Sequence, residues 1–350
     1  MEIQISGDIA SEREESIRMV SESAAGVLKG DRQRARGLRF ENGRFDAKKW
    51  AEMAETGWLM VRLPVERDGL GMGLSELCAI ARAMGSELSP EPVVMAALVA
   101  PALPDTALSA LLACDEVFLP AFCSYDQSLP VVENGTLNCR VEALHMAGHA
   151  SGFLVQTESG AAFVRAEGVG VALDLQETHD GGHVGRLRLN KAPVELVNAN
   201  MLRLRDEAAV VLSAQLLGIA EAAYDITLAY LKDRKQFGAP IGSFQALQHR
   251  MVDLFLELSL ARAAVELAAD CLDDGCNDTI AAWQASLAKA RATRASQAIA
   301  QAAVQLHGGI GYTDEADIGL YLRKVMTLSG LLGSERFHRD RALSLGKVIQ

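Results

Sequence analysis

The chain has 350 residues, a length that suits two or three domains, and 49% of them are apolar, enough for a sizeable core. Its formal net charge of −11 and pI near 5.2 exclude the basic surface that a nucleic-acid partner needs. No run of about eighteen uncharged apolar residues is present, so no membrane span is expected, and the N-terminus lacks a basic-then-apolar signal pattern.

Residues 11–28 alternate charge with Ile17, Val20 and Val27, as an amphipathic helix does, and 45–55 form a second helix with Trp50 on its apolar side. Gly and Pro are dense across 56–73, which marks a loop between helices. Helix resumes over 74–84, Pro90 and Pro92 interrupt it, and 107–113 is helical again. From Val117 to Val197 the character changes. Short β-like runs at 153–157, 162–165, 170–173 and 186–189 alternate with turns at Asn134-Gly135, Glu158-Ser-Gly160 and Asp180-Gly-Gly182. His145, His149, His179 and His183 lie in or beside this region. Asp180 with the two histidines near it, His179 and His183, suggests a metal site, but a Gly-Gly-His hairpin tip reads more simply as a solvated turn, and no metal ligand is assigned.

From Asp206 onward the chain is helical once more. Helices over 207–232, 244–272, 278–305 and 317–328, joined by short links, make a four-helix bundle. The expected fold class is α+β: an N-terminal all-α domain over 1–116, a small antiparallel β domain over 117–200 and a helical bundle over 201–350. Six cysteines (Cys78, Cys114, Cys123, Cys139, Cys271 and Cys276) are scattered without C-x-x-C spacing, which fits reduced thiols in a cytoplasmic protein.

Two stretches carry chemistry. Gln305-Leu-His-Gly-Gly-Ile-Gly-Tyr312 follows an Ala-rich helical run without Gly or Pro, and its glycines stop the helix. Uncovered amides there, with the Gln305 side chain, can hydrogen-bond an anionic oxygen. Upstream stand Arg234-Lys-Gln-Phe-Gly238 and Ile241-Gly-Ser-Phe-Gln245. Together, and with Gly69-Leu-Gly71 in the early loop, these stretches resemble the acyl-CoA dehydrogenase family.

The resemblance implies FAD as cofactor, lying across a subunit interface. Arg234, Gln236, Phe237, Ile241, Phe244 and Gln245 would hold its adenosine and pyrophosphate end, and Gln305, Gly308 and Gly309 its pyrophosphate from a neighbouring chain. Arginine suits this role because its planar, permanently charged fork matches phosphate. The resemblance further implies an acyl-CoA thioester as substrate, α,β-desaturation as reaction, an electron-transfer flavoprotein as acceptor and an oligomeric state.

The family's catalytic machinery is not matched. Its base, a Glu in a Tyr-Glu-Gly-Thr turn, falls on Leu331-Leu332-Gly333-Ser334, and Leu332 cannot take a proton. A branch with its base on the first bundle helix places it at Ala208. Glu207 is adjacent, but one residue turns a helix by about 100°. Glu335 follows the turn and reads as solvated. The family's middle-domain contacts to substrate and flavin ring are replaced by Leu119-Pro-Ala-Phe-Cys-Ser124 and Val141-Glu-Ala-Leu-His145, and the tryptophans, at 50, 58 and 283, all lie outside the β domain. No catalytic residue is assigned. The expected function is the non-catalytic partner of a paralogous acyl-CoA dehydrogenase subunit, as in bacterial steroid side-chain degradation. The alternative is a self-sufficient homo-oligomeric dehydrogenase with an atypical base such as Glu207.

Overall fold

The computed structural model describes residues 2–39 and 45–349. Its N-terminal helices are α1 (Glu2–Val27), α2 (Asp31–Leu38), α3 (Ala47–Glu55), α4 (Leu74–Glu87), α5 (Val93–Val99) and α6 (Asp105–Leu112). Asp46 starts α3 by accepting from the amides of Lys48 and Lys49, which satisfies donors that a helix N-terminus leaves open. The short helices α2 and α5 escape the sequence reading. One is Arg-rich, and the other is a brief, uniformly apolar run without periodicity.

The middle strands are β1 (Phe118–Ala121), β2 (Val132–Glu133), β3 (Thr136–His145), β4 (Gly152–Thr157), β5 (Gly160–Arg165), β6 (Val171–Glu177), β7 (His183–Pro193) and β8 (Glu195–Val197). They form two four-stranded sheets, ordered β1-β4-β5-β8 and β2-β3-β7-β6. Every pairing in these sheets is antiparallel except β1 with β4, which run parallel with Phe118 opposite Gly152. The apolar alternation of β7 puts Leu187 and Leu189 inward and Arg186 and Arg188 outward.

The C-terminal part holds α7 (Met201–Asp233), a two-residue-strand hairpin of β9 (Lys235–Gln236) with β10 (Ala239–Pro240), then α8 (Gln245–Asp273), α9 (Asp278–His307), α10 (Ile318–Ser329) and α11 (Glu335–Ile349). The four anticipated helices are there, and α11 packs as a fifth against α9. Asn200 and Asn277 cap α7 and α9 through their side-chain oxygens. At the α4–α7 crossing the backbones touch: a Cβ on Gly218 would lie 1.9 Å from the Arg82 carbonyl, and one on Gly85 would lie 2.0 Å from that of Gln215. Only glycine permits this approach. By length and composition α7 is apolar enough to cross a membrane, against the sequence expectation. It is instead the central helix of the fold, with 72% of its apolar window buried against its neighbours.

The hairpin tip at Asp180 also differs from the sequence reading. It is buried rather than solvated, and it docks the β sheets on α10. Asp180 pairs with Nζ of Lys324 at 3.0 Å and accepts from the hydroxyls of Thr178 (2.6 Å) and Thr327 (2.9 Å). Burial pushes its carboxyl up, but Lys324, His145 and the Thr178 hydroxyl hold it below the usual range, and His183 is engaged by the Gly148 amide at 2.8 Å. These contacts give both residues structural partners.

Candidate functional site

A cavity of about 540 Å³ opens where the three parts of the chain meet, a size typical of small-molecule sites. Its walls come from α5 (Val94, Met95), from β1 and the segment after it (119–120 and 122–126), and from the end of β3 (142–145). Residues Arg205, Leu212 and Gln215 of α7, the turn 330–333 and Phe337 of α11 complete it. The two segments that replace the family's ring contacts thus reach this cavity, and they line it mostly with apolar side chains.

The 330–333 turn keeps a specific shape. Leu332 sits at φ 58° and Gly333 at φ 107°. Nε2–H of His338 donates to the Leu332 carbonyl at 2.7 Å. Nζ of Lys289 donates to the carbonyls of Ser329 (3.0 Å) and Gly333 (3.3 Å) and to the Thr293 hydroxyl (3.1 Å). Burial pushes the His338 imidazole down to about 3 and the Lys289 ammonium down to about 7. The side chain presented at the base position is Leu332, half-buried in the cavity wall.

The alternative base position behaves the same way. Arg205, Leu212 and Gln215 mark the face of α7 that lines the cavity, and Ala208 lies on that face, fully buried. Glu207 points elsewhere. Its carboxylate lies 3.1 Å from Arg62 and 3.6 Å from Arg203, outside the cavity lining. Glu335 starts α11, with Arg339 at 3.8 Å. Three carboxylates do border the cavity, and none stands free at either base position. Glu91 is clamped by Arg34 at 2.6 Å, Glu142 is paired with Arg140 and Arg186, and Asp126 is exposed and bonded by Ser124.

Sequence reasoning missed Arg205 and Tyr125. The Arg205 guanidinium carbon lies 3.7 Å from the centroid of the Tyr125 ring, a cation–π contact. The available signal was an Arg about one helical turn before Ala208, on the face that also carries Leu212 and Gln215.

The nucleotide motifs lie at the other end of α7. Arg234 terminates this helix, its amide donating to the Tyr230 carbonyl at 2.9 Å, and its carbonyl accepts from the Ile241 amide at 2.8 Å. Between them the hairpin turns through Phe237 (φ 53°) and Gly238 (φ 84°), the left-handed pair of a two-residue hairpin loop. This turn leaves Phe237 90% exposed, edge-on to Phe244 with ring centroids 6.1 Å apart. Arg234, Gln236 and Gln245 are exposed, and Ile241 is half-buried.

At the end of α9, Gln305 is exposed and Gly308 adopts φ 66°. The Gly308 amide donates to the Gln305 carbonyl, so this amide is already occupied within the chain. A Cβ at Gly308 or Gly309 would meet nothing within 4 Å. The two motifs share one end of the bundle because Tyr230 stacks on His307 (centroids 4.3 Å apart, 21° between planes) and donates to its carbonyl at 3.3 Å. This joint was not visible in the sequence.

An exposed guanidinium, aromatic rings on a rigid turn and open glycine positions together fit the phosphate and ring end of a dinucleotide. No tryptophan is among the residues that line the cavity end. The fit is therefore to the nucleotide half of FAD.

Comparison with known proteins agrees with this architecture. The description "Acyl-CoA dehydrogenase, N-terminal domain" matches residues 12–105, and "Acyl-CoA dehydrogenase, C-terminal domain" matches 200–343. Acyl-CoA dehydrogenase FadE34 of Mycobacterium tuberculosis is 30% identical over 306 residues, covering 84% of this chain and 42% of its own length. The chain thus spans less than half of that relative. Among solved structures, the Tcur3481-Tcur3483 steroid ACAD superposes with TM-score 0.88 at 26% identity, covering 96% of this chain and 99% of that one. The ChsE4-ChsE5 complex of Mycobacterium tuberculosis shares the fold, with TM-score 0.85 at 24% identity over 96% and 97% of the two chains. The chain belongs to the acyl-CoA dehydrogenase family of oxidoreductases, whose members bind FAD.

Proposed function

We propose that this chain is the non-catalytic subunit of an FAD-dependent acyl-CoA dehydrogenase, paired with a paralogous subunit that supplies the base and faces the reactive ring. Bound FAD supplies the hydride acceptor for α,β-desaturation of an acyl-CoA thioester. In this chain Arg234 would neutralise the pyrophosphate, Phe237 and Phe244 would cover the adenosine end, and Gln236, Ile241 and Gln245 would border it. Gln305, Gly308 and Gly309 would let the pyrophosphate approach the backbone.

One observation carries the reading: Leu332 lines the cavity, Ala208 is buried on the α7 face that borders it, and neither residue, at the positions the resemblance gives to the base, can take a proton. The similarity to FadE34 and the steroid ACAD, and the fold shared with the ChsE4-ChsE5 complex, support a heteromeric steroid or lipid catabolic role. A row of half-exposed apolar residues on α8 (Val252, Phe255, Leu256, Leu260 and Leu267) gives a surface for assembly. An electron-transfer flavoprotein is the proposed acceptor and the cytoplasm the proposed compartment. The self-sufficient alternative is disfavoured because Glu207 is committed to Arg62 and Arg203 outside the cavity.

The test is co-expression with a paralogous acyl-CoA dehydrogenase subunit, followed by size-exclusion chromatography and flavin absorbance. The expected result is co-elution with bound FAD, and loss of FAD on Arg234→Ala without loss of co-elution. Failure to co-elute with any such subunit, or FAD content indifferent to Arg234, would overturn the proposal.

A further inference from the structure

Arg205 is 7% exposed and lines the 540 Å³ cavity, yet among the described residues no carboxylate lies within ion-pair distance of it. Asp206, next in sequence, is held by both terminal nitrogens of Arg341. Nη1 of Arg205 reaches only the Cys123 carbonyl, at 3.5 Å, and its Nε is buried without a hydrogen-bond partner. The hydroxyl of Tyr125, whose ring stacks beneath the guanidinium, is likewise buried and unpartnered. Burial pushes that hydroxyl's pKa up, so it stays a proton donor.

A buried cation and a buried hydroxyl without partners are costly, and the Tyr125 ring offsets only part of the cost. Both residues line the same cavity, and the bordering carboxylates are engaged elsewhere: Glu91 by Arg34 and Glu142 by Arg140 and Arg186, with Asp126 exposed. The remaining wall is largely apolar, with Val94, Met95, Leu119, Phe122, Leu212 and Leu331.

We propose that this cavity binds an apolar carboxylic acid, whose carboxylate is received by Arg205 and Tyr125 while its hydrocarbon body fills the apolar wall. The positions where the family keeps a proton acceptor thus border a site organised around a cation. That arrangement recognises an anion and abstracts no proton. The proposal is independent of the flavin reading, which concerns the opposite end of α7, and either can fail without the other.

The experiment is calorimetric titration of the full-length purified chain with decanoate and with decanol, which share an apolar body and differ in charge. Decanoate is expected to bind roughly tenfold to a hundredfold more tightly, the range for a charged hydrogen-bonded contact. Arg205→Gln should abolish that preference while leaving decanol binding in place, and Arg205→Lys should restore part of it. Tyr125→Phe, which keeps the ring under the guanidinium, should weaken decanoate several-fold and provides the test should Arg205→Gln not fold. Equal affinity for acid and alcohol, a preference that survives Arg205→Gln or is untouched by Tyr125→Phe, or no binding of either ligand would overturn the proposal.

Discussion

The carbonyl of Leu332 is fixed by Nε2–H of His338 at 2.7 Å, in the 330–333 turn that lines the cavity. Its left-handed backbone, φ 58° on a leucine, costs about 1–2 kcal/mol, and the buried His338 and Lys289 hold it nonetheless.

Restoring the carboxylate should not restore the reaction. In Leu332→Glu the new side chain would share the cavity with the unpaired Arg205, and a nearby guanidinium lowers a carboxylate's pKa. A base for the weakly acidic α-proton of a thioester needs the opposite shift. Kinetics of Leu332→Glu with FAD and a range of acyl-CoA thioesters should show no turnover; measurable desaturation would show that the pocket itself is intact.

Stability should depend on pH through three buried groups. His145 and His338 are pushed by burial to about 3, below the 6.5 of an exposed imidazole. Between those values the unfolded chain binds protons that the folded chain refuses, so stability falls as pH drops from 6.5 toward 3. Lys289, pushed to about 7 from 10.5, acts on the alkaline side. Its burial penalty is fully present below pH 7, and stability rises as pH climbs from 7 toward 10.5. Each group changes the folding constant by up to about tenfold per pH unit within its window. Denaturant unfolding should show the alkaline rise flattened in Lys289→Met and the acid fall reduced in His338→Gln. Unchanged slopes would mean these groups are solvated.

The nucleotide end offers a clean separation of fold from binding. Gly309 has ordinary backbone angles and open space around its Cβ position, so Gly309→Ala should leave the melting temperature unchanged. Arg234 is exposed, and Arg234→Ala should be equally benign to the fold. In the assembled complex each should weaken FAD, Arg234→Ala by about 1.5–3 kcal/mol, one to two decades in affinity. Flavin titration after mild removal of FAD checks both. Normal flavin affinity in both variants would leave the two motifs as mere helix ends.

The pair Asp180–Lys324 ties the β sheets to α10, with side-chain exposures of 5% and 6%. Asp180→Ala strands a buried ammonium and should cost about 3–5 kcal/mol, whereas replacing both with Leu and Met should recover much of that loss. Thermal unfolding of the single and double variants measures it; a double variant no better than the single would show that the pair itself stabilises the contact.

Much of this was legible from local pattern. Helical periodicity placed the long bundle helices, and β-like runs placed β4 to β7, because those signals lie within a few residues of one another. The 100° argument about Glu207 held for the same reason, since a helix fixes which neighbour faces a cavity. What escaped was set by distant partners. The Asp180 tip looked solvated because Lys324 is far away in sequence, and α11 was missed because Arg336, Arg339 and Asp340 outnumber its two buried residues, His338 and Ala342. Arg205 carries no local signal, since a helical arginine is ordinary until the fold shows that, among the described residues, no carboxylate lies within ion-pair distance of it.

If this chain lends contacts to a flavin and a paralogous subunit supplies the base, activity belongs to the assembly and not to the chain. The most direct test is steady-state turnover of the purified chain alone, supplied with FAD, an artificial electron acceptor and acyl-CoA thioesters, beside the same chain assembled with a paralogous subunit. The expected result is no turnover by the chain alone and activity only in the assembly, unaffected by Glu207→Gln in this chain. Robust turnover by the isolated chain, abolished by Glu207→Gln, would contradict it.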